Sequence, residues 1–405
     1  MKITEMTDVP DIELAEVDLF DPEFFADGEP HPVWAALRTR APLHRQELSD
    51  GRAFWSVTRY RDVCRVLGDH RAFTSTRGSL LHQLGKGDSA AGRMLVATDP
   101  PHHTRLRRPL HVALSPSGVD SYVDDVHRAV AQVLRPARLP GTWDVAEQAA
   151  LLPMAVIGAL LGLPRPDWSQ LARWTAMAAA PHDETLRVRS TATTLAIAHH
   201  GIFDYFTRRI ASGDPVGLVA DVELTEEEIV YNCYSLLLGA TATIPHAVTG
   251  TVLALVQDPE QIADAAQDVP RLVEEGLRWA SPANSFLRHA VTDAELAGGQ
   301  VRAGDAIAVW IGSANRDDSV FADPYRFVAT RQNNRHIAFG FGPHYCVGAA
   351  LARVILRVFF TELLATVSSI ELAGPVRHLS SLFVAGTTHL PVHTLPRAIR
   401  RQNSR

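Results

Sequence analysis

Apolar residues recur at three- and four-residue spacing through most of the middle of the chain, the signature of helices with one buried face. The pattern predicts helices over 118–135, 143–163, 168–180, 190–212, 225–256, 259–267 and 270–280. Pro136, Pro140, Pro164 and Gly213-Asp214-Pro215 punctuate them. Nearer the start, Pro32–Thr39 and Tyr60–Asp69 read as short helices. His44–Leu48 and Ala53–Thr58 flank Ser49-Asp50-Gly51 as the arms of a hairpin. Thr76 to Ala91 is rich in Gly and Ser but carries Leu80, Leu81 and Leu84, so it reads as a surface loop or a loop that lines a pocket. A β-rich part over 285–311 and an irregular stretch over 313–336 precede a helix over 349–366 and a hairpin within 369–394. No repeat and no long Ser/Gly linker divides the chain. The expected fold is mainly α with small β-sheets: one large domain over 30–398, a 1–29 arm and a 399–405 tail.

Composition narrows the function. At 46% apolar, 405 residues can bury a sizeable core. Net charge is −6 and no basic run exists, so nucleic acid has no electrostatic footing. The acidic start, Met1 to Phe20, lacks the apolar stretch of a signal peptide, and the apolar run Ala149 to Pro164 is too short to span a bilayer. No membrane association and a cytoplasmic location are expected. Cys64, Cys233 and Cys346 are too few and too scattered for a disulfide framework, which fits a reducing compartment.

One of these cysteines stands out. Phe339-Gly340-Phe341-Gly342-Pro343-His344-Tyr345-Cys346-Val347-Gly348 ends just before a helical run beginning at Ala349. Unpartnered amides and the positive end of the helix dipole both favour thiolate at such a position. A thiolate there is a nucleophile or a metal ligand, and a buried free thiol is the plain alternative. The glycines permit positive φ and close approach, which favours a ligand against a large flat partner. This F-G-x-G-x-H-x-C-x-G stretch resembles the heme-ligand loop of the cytochrome P450 family at every fixed position, and specifically its bacterial, soluble class. The resemblance implies heme b with Cys346 as the axial thiolate to iron. It also implies that Phe339, Gly340, His344 and Gly348 lie against the heme.

Further motifs extend the resemblance. Asp99-Pro100-Pro101-His102-His103-Thr104-Arg105-Leu106-Arg107 puts His103 and Arg107 on one helix face. By resemblance these two, with Arg288 and His344, meet the heme propionates; alone, the stretch reads as a solvated basic face. Glu275 and Arg278 form an E-x-x-R pair, and Phe321-x-x-Pro324-x-Arg326-Phe327 resembles the segment that supplies its third member, which makes Arg326 the expected partner. Ala314-Asn315-Arg316-Asp317 adds a further match.

The departure lies in 225–256. Where the family carries an acid followed by a threonine that deliver protons to dioxygen, this chain reads Ala242-Thr243, with no Asp or Glu between Glu228 and Asp258. Pro245 removes an amide that Thr241 would otherwise bond and predicts a kink. His246, one turn beyond Ala242, is a candidate proton relay or a satisfied groove histidine. By family analogy, substrate contacts are expected within Leu80–Met94, the 178–190 turn, Leu237–Thr243, Asn284–Phe286 and Leu382–Ala385. Leu84, Leu238, Gly239, Ala242, Asn284, Ser285, Phe286 and Phe383 are the specific candidates. The resemblance implies a monomeric monooxygenase that hydroxylates or epoxidises a small organic molecule in natural-product biosynthesis, with NAD(P)H electrons arriving through a ferredoxin reductase and a ferredoxin. Arg105, Arg108, Arg353 and Arg357 are the expected ferredoxin-docking cations. A carrier protein is a further expected partner, as the bearer of the substrate. The missing acid leaves open a peroxide-using, coupling or rearranging enzyme, and a heme sensor without turnover is the reading from another class.

Overall fold

The computed structural model describes residues 11–26, 29–214, 216–217 and 224–397. The first ten residues of the expected arm and the 399–405 tail lie outside the described residues. The described part of the arm is built into the body: Leu19 is fully buried and Phe25 nearly so, in a cluster with Trp34, Phe54 and Trp310. Phe25 stacks on Trp310 with ring centroids 5.6 Å apart.

Helices dominate. In chain order those that matter here are α1 (His31–Arg40), α2 (Tyr60–Gly68), α3 (His102–Ala113), α4 (Val123–Val133), α5 (Leu151–Leu160), α6 (Trp168–Ala179), α7 (Thr191–Ala211), α8 (Glu226–Thr241), α9 (Ile244–Gln257), α10 (Gln261–Gln267), α11 (Val269–Ala280) and α12 (Ala349–Thr366). The largest apolar cluster runs through α4, α5, α8, α9, α11 and α12. Strands β1 (Leu43–Glu47), β2 (Ala53–Val57), β3 (Phe73–Thr74), β5 (Ser285–Ala290) and β6 (Ala306–Trp310) form a five-stranded sheet in the order β1-β2-β6-β5-β3. The predicted hairpin is β1–β2, antiparallel, with Leu43 opposite Val57. A second sheet joins β4 (Gly141–Asp144) through β8 (Pro391–Pro396) to β7 (Val367–Leu372).

The stretch 225–256 is two helices, not one. Thr225 opens α8 with a reciprocal cap: its hydroxyl accepts from the Glu228 amide at 3.2 Å, and the Glu228 carboxylate accepts from the Thr225 amide at 2.9 Å. The helix ends at Thr241, and Thr243, at φ −128°, starts α9 as its cap. Pro245 sits in the first turn of α9, where a missing amide costs least. Glu226–Gln257 is long and apolar enough to cross a bilayer by length and composition, but more than half of it is buried inside the molecule, as a core helix pair requires.

Candidate active site

Among the described residues, a larger and a smaller concavity open, and the larger is not the one with the chemistry. A cleft of about 1460 Å³ lies between α1, α9 and the 315–327 segment and is lined by a mix of polar and apolar side chains. A cavity of about 330 Å³ unites the sulfur loop, Arg107 of α3, the inner face of α8, and Phe286 and Arg288 of β5. It contains Cys346 and Thr243 together, and this makes it the site.

The sulfur loop is shaped by its backbone. Gly340 and Gly342 both lie at φ +73°, in the left-handed region. A β-carbon on Gly342 would stand 2.6 Å from the Gly68 α-carbon at the end of α2, so this position tolerates hydrogen alone. The Cys346 amide donates to the Phe339 carbonyl at 2.9 Å and closes the loop. Helix α12 begins three residues later, and the Gly348 amide points at the sulfur. Burial pushes the Cys346 thiol up, while the Gly348 amide and the Arg107 and Arg353 guanidiniums pull it down. Cys346 is deep within the protein yet its surface is open, because it faces internal space and not solvent.

Behind the loop, two adjacent carboxylates of α11 act as buttresses. Glu275, fully buried, accepts from Arg278 at 2.7 and 2.8 Å, from the Val328 amide at 2.9 Å and from Asn334 at 3.1 Å. Its third cation is Arg331, whose Nε lies 3.1 and 3.0 Å from the two carboxylate oxygens. The expectation of Arg326 is therefore corrected: only its backbone carbonyl joins the network, accepting from Arg278 at 3.1 Å and Arg331 at 2.8 Å. The motif fixed the segment, but the irregular backbone places the later arginine over Glu275. The neighbouring Glu274 accepts from His336 at 2.9 Å and from Arg353 at 2.7 and 2.9 Å. Burial opposes its ionisation, but His336 and Arg353 together hold Glu274 down to about 2. Arg353 also covers the Phe339 ring at 4.5 Å. Of the four expected docking cations, Arg353 and Arg105 are thus already paired, the latter with Glu228. Arg108 and Arg357 remain exposed.

The cations expected at the cavity divide in the same way. Arg107, Arg288 and His344 line it, together with Phe339, Gly340 and Gly348. His103 stands behind them, its ring 4.5 Å from that of His344 and its Nε2 buried without a partner. Burial, then the charges of His344 and Arg107, hold His103 down to about 4. Arg288 is buried, is lowered to about 10 by that burial, and donates to the carbonyl of its own neighbour Leu287 at 2.8 Å. A buried guanidinium with no carboxylate in its hydrogen-bond set, next to a deep sulfur facing open space, fits a flat cofactor with carboxylates on its rim.

Opposite the sulfur, the break between α8 and α9 leaves the Gly239 carbonyl for the Thr243 hydroxyl, which donates to it at 2.6 Å. Leu238, Gly239, Phe286 and Phe383 line the cavity as expected of substrate contacts. Leu84, Ala242, Asn284 and Ser285 do not. Along β5 the side chains alternate, so Phe286 and Arg288 share the cavity face while Ser285 turns away and donates to the Leu382 carbonyl at 2.9 Å. Leu84 joins the Phe54–Trp310 cluster, Ala242 is packed in the main core, and none of 178–190 reaches the cavity among the described residues. His246 is also corrected. The break changes the phase of α9, and the ring faces the larger cleft with Asn284 and packs on Gly386, where a β-carbon would lie 2.2 Å from its Cγ. Its Nδ1 is buried without a partner, and burial holds the ring down to about 4, hence neutral near pH 7. Sequence reading missed Arg331. Asn315, named in the Ala314–Asp317 match but given no role there, accepts from the Ile337 amide at 2.8 Å and donates to Ser281 at 2.8 Å.

Comparison with known proteins agrees with this geometry. The family model described as Cytochrome P450 matches residues 269–370. Cytochrome P450 NovI of Streptomyces niveus is 32% identical, over 94% of this chain and 97% of its own length. A crystal structure of P450 OxyD, involved in the biosynthesis of vancomycin-type antibiotics, superposes with a TM-score of 0.84 at 31% identity, covering 94% of this chain and 100% of that one. P450BioI in complex with an acyl carrier protein ligated to hexadec-9Z-enoic acid gives 0.81 at 28%, covering 92% and 100%. With a sulfur loop, a paired E-x-x-R glutamate and full-length similarity in agreement, the chain belongs to the cytochrome P450 family of monooxygenases.

Proposed function

We propose that this protein inserts one oxygen atom from O2 into a small organic substrate in natural-product biosynthesis, by hydroxylation or epoxidation, using electrons from a ferredoxin and its NAD(P)H-dependent reductase. The observation that carries this reading is one cavity, mostly apolar in its lining, that holds both Cys346 and Thr243. Heme held there by the Cys346 thiolate would supply the activation of dioxygen. Arg107, Arg288 and His344 would receive its carboxylates, and Phe339 would lie beside it. The Glu275–Arg278–Arg331 and Glu274–Arg353 networks hold the sulfur loop in register against that group. Thr243, with its own proton committed to the Gly239 carbonyl, presents its oxygen as an acceptor that can order a water or a substrate hydroxyl.

A second reading rests on a specific observation. Asp88 is the one carboxylate among the described cavity-lining residues, and the acid position beside Thr243 is Ala242. Proton delivery therefore falls to water or to the substrate, or the enzyme uses peroxide, couples or rearranges. Thr243→Ala separates the two: an oxygenase that depends on this hydroxyl loses roughly tenfold or more in product per electron and releases peroxide, whereas unchanged coupling removes Thr243 from the mechanism. NovI and OxyD support a specialised-metabolism setting, and the P450BioI complex supports a substrate carried on an acyl or peptidyl carrier protein.

A further inference from the structure

One end of the cavity is built differently from the rest. Along the last turn of α8, toward Thr243, the lining is Leu238, Gly239 and Ala240, and Phe286 and Phe383 add apolar surface. At the other end it is His82, Asp88, His199 and Tyr234. Tyr234 and His199 are joined, with the hydroxyl 3.1 Å from Nε2 and the rings edge-on at 5.4 Å. Phe203 packs on both, 5.2 Å from Tyr234 and 5.9 Å from His199, and holds them from the side. Asp88 accepts from the Ala90 amide through Oδ1 at 2.9 Å, but its Oδ2 is buried and has no partner. Its charge is felt at both His199 and Tyr234, which places the three groups together. Burial first, then neighbouring Lys86 and His199, lower His82 to about 4, and burial also lowers His199, so both imidazoles are neutral near pH 7.

A buried carboxylate oxygen with no donor is costly to leave unmade. The carboxylate accepts only, and neutral imidazole and phenol add further acceptors. A ligand that brings a donor repairs this end of the cavity, and an apolar ligand does not. Helix α8 sets the scale: from Tyr234 to its end at Thr241 is seven residues, about 10 Å at the helical rise, and Thr243 lies just past that end.

We propose that His82, Asp88, His199 and Tyr234 form a substrate-selecting subsite for a hydrogen-bond donor, an amine or hydroxyl, at the end of an apolar body reaching about 10 Å from the C-terminal end of α8 beside Thr243. This rests on the reading of the Cys346 cavity as a heme site, and the test separates the two. Three probes suffice: decylimidazole, its ω-hydroxy analogue and its ω-amino analogue, each titrated into the heme-loaded protein while the Soret band is followed. The imidazole reports on the iron, and the tail reports on the subsite. The expected order of affinity is amine, then hydroxyl, then methyl, with the amine roughly tenfold or more ahead of the methyl probe. Asp88→Asn should remove the lead of the amine over the hydroxyl, and Tyr234→Phe should weaken both relative to the methyl probe. Asp88→Asn sits in a loop, so it keeps the test open if the helix variant loads heme poorly. A methyl probe that binds as tightly as the amine in the wild type, or an order unchanged by Asp88→Asn, overturns the subsite. Soret shifts of equal size from all three confirm the heme reading while the affinities decide the subsite. No shift from any probe overturns the heme reading, and the subsite with it.

Discussion

Behind the sulfur of Cys346, Glu275 accepts from Arg278, Arg331, Val328 and Asn334, and Glu274 from His336 and Arg353. Across the cavity, α8 and α9 offer no carboxylate between Glu228 and Asp258, and the side chains they present to it include Leu238, Ala240 and Ile244. The first side spends charge on fixing a position: paired, multiply bonded carboxylates resist displacement because every partner would be left buried and bare. The second side is held by packing and a broken helix, so small side-chain changes there alter shape without unbalancing charge.

The contrast can be broken by mutation. Arg331→Ala should cost about 3 kcal/mol in denaturant unfolding, since it strips a buried carboxylate, while Arg326→Ala should stay within about 0.5 kcal/mol because its side chain is outside the network. Equal effects would remove the distinction drawn between them. Gly342→Ala should cost about 2 kcal/mol and lower heme occupancy, from positive φ and the clash with Gly68, measured by thermal unfolding and the heme-to-protein absorbance ratio. The smallest effect is a pH slope. His246 is lower in the folded state, about 4, than its ordinary value of 6.5, so folding excludes its proton. Its contribution is fully present above pH 6.5 and is lost as pH falls towards 4. His246→Asn should flatten the fall of the urea midpoint in that window, and an unchanged slope would mean the ring is hydrated.

The sequence reading located most helices because their apolar spacing is strong, and α12 matches its predicted span of 349–366. It placed Cys346 and the Glu275–Arg278 pair because motif and backbone coincide there. It missed Arg331 for lack of periodicity: 315–336 is irregular, and linear spacing does not tell which arginine folds back. It misplaced His246 because helical arithmetic assumes an unbroken helix, and Pro245 marked the kink without giving its phase. Ser285 and Phe286 were both expected in the pocket, though a strand can present only one of two successive side chains to a given face.

That alternation on β5 has a further outcome. Phe286 meets the substrate space and Arg288, two residues on, faces the proposed carboxylates of the cofactor from the same side of the same strand. The strand is therefore a shared beam: reshaping the pocket by substitution at Phe286 also loads the support beneath Arg288. Laboratory evolution of this enzyme should find substrate scope and cofactor retention changing together at this strand, and separately at Phe383, which hangs from another part of the chain.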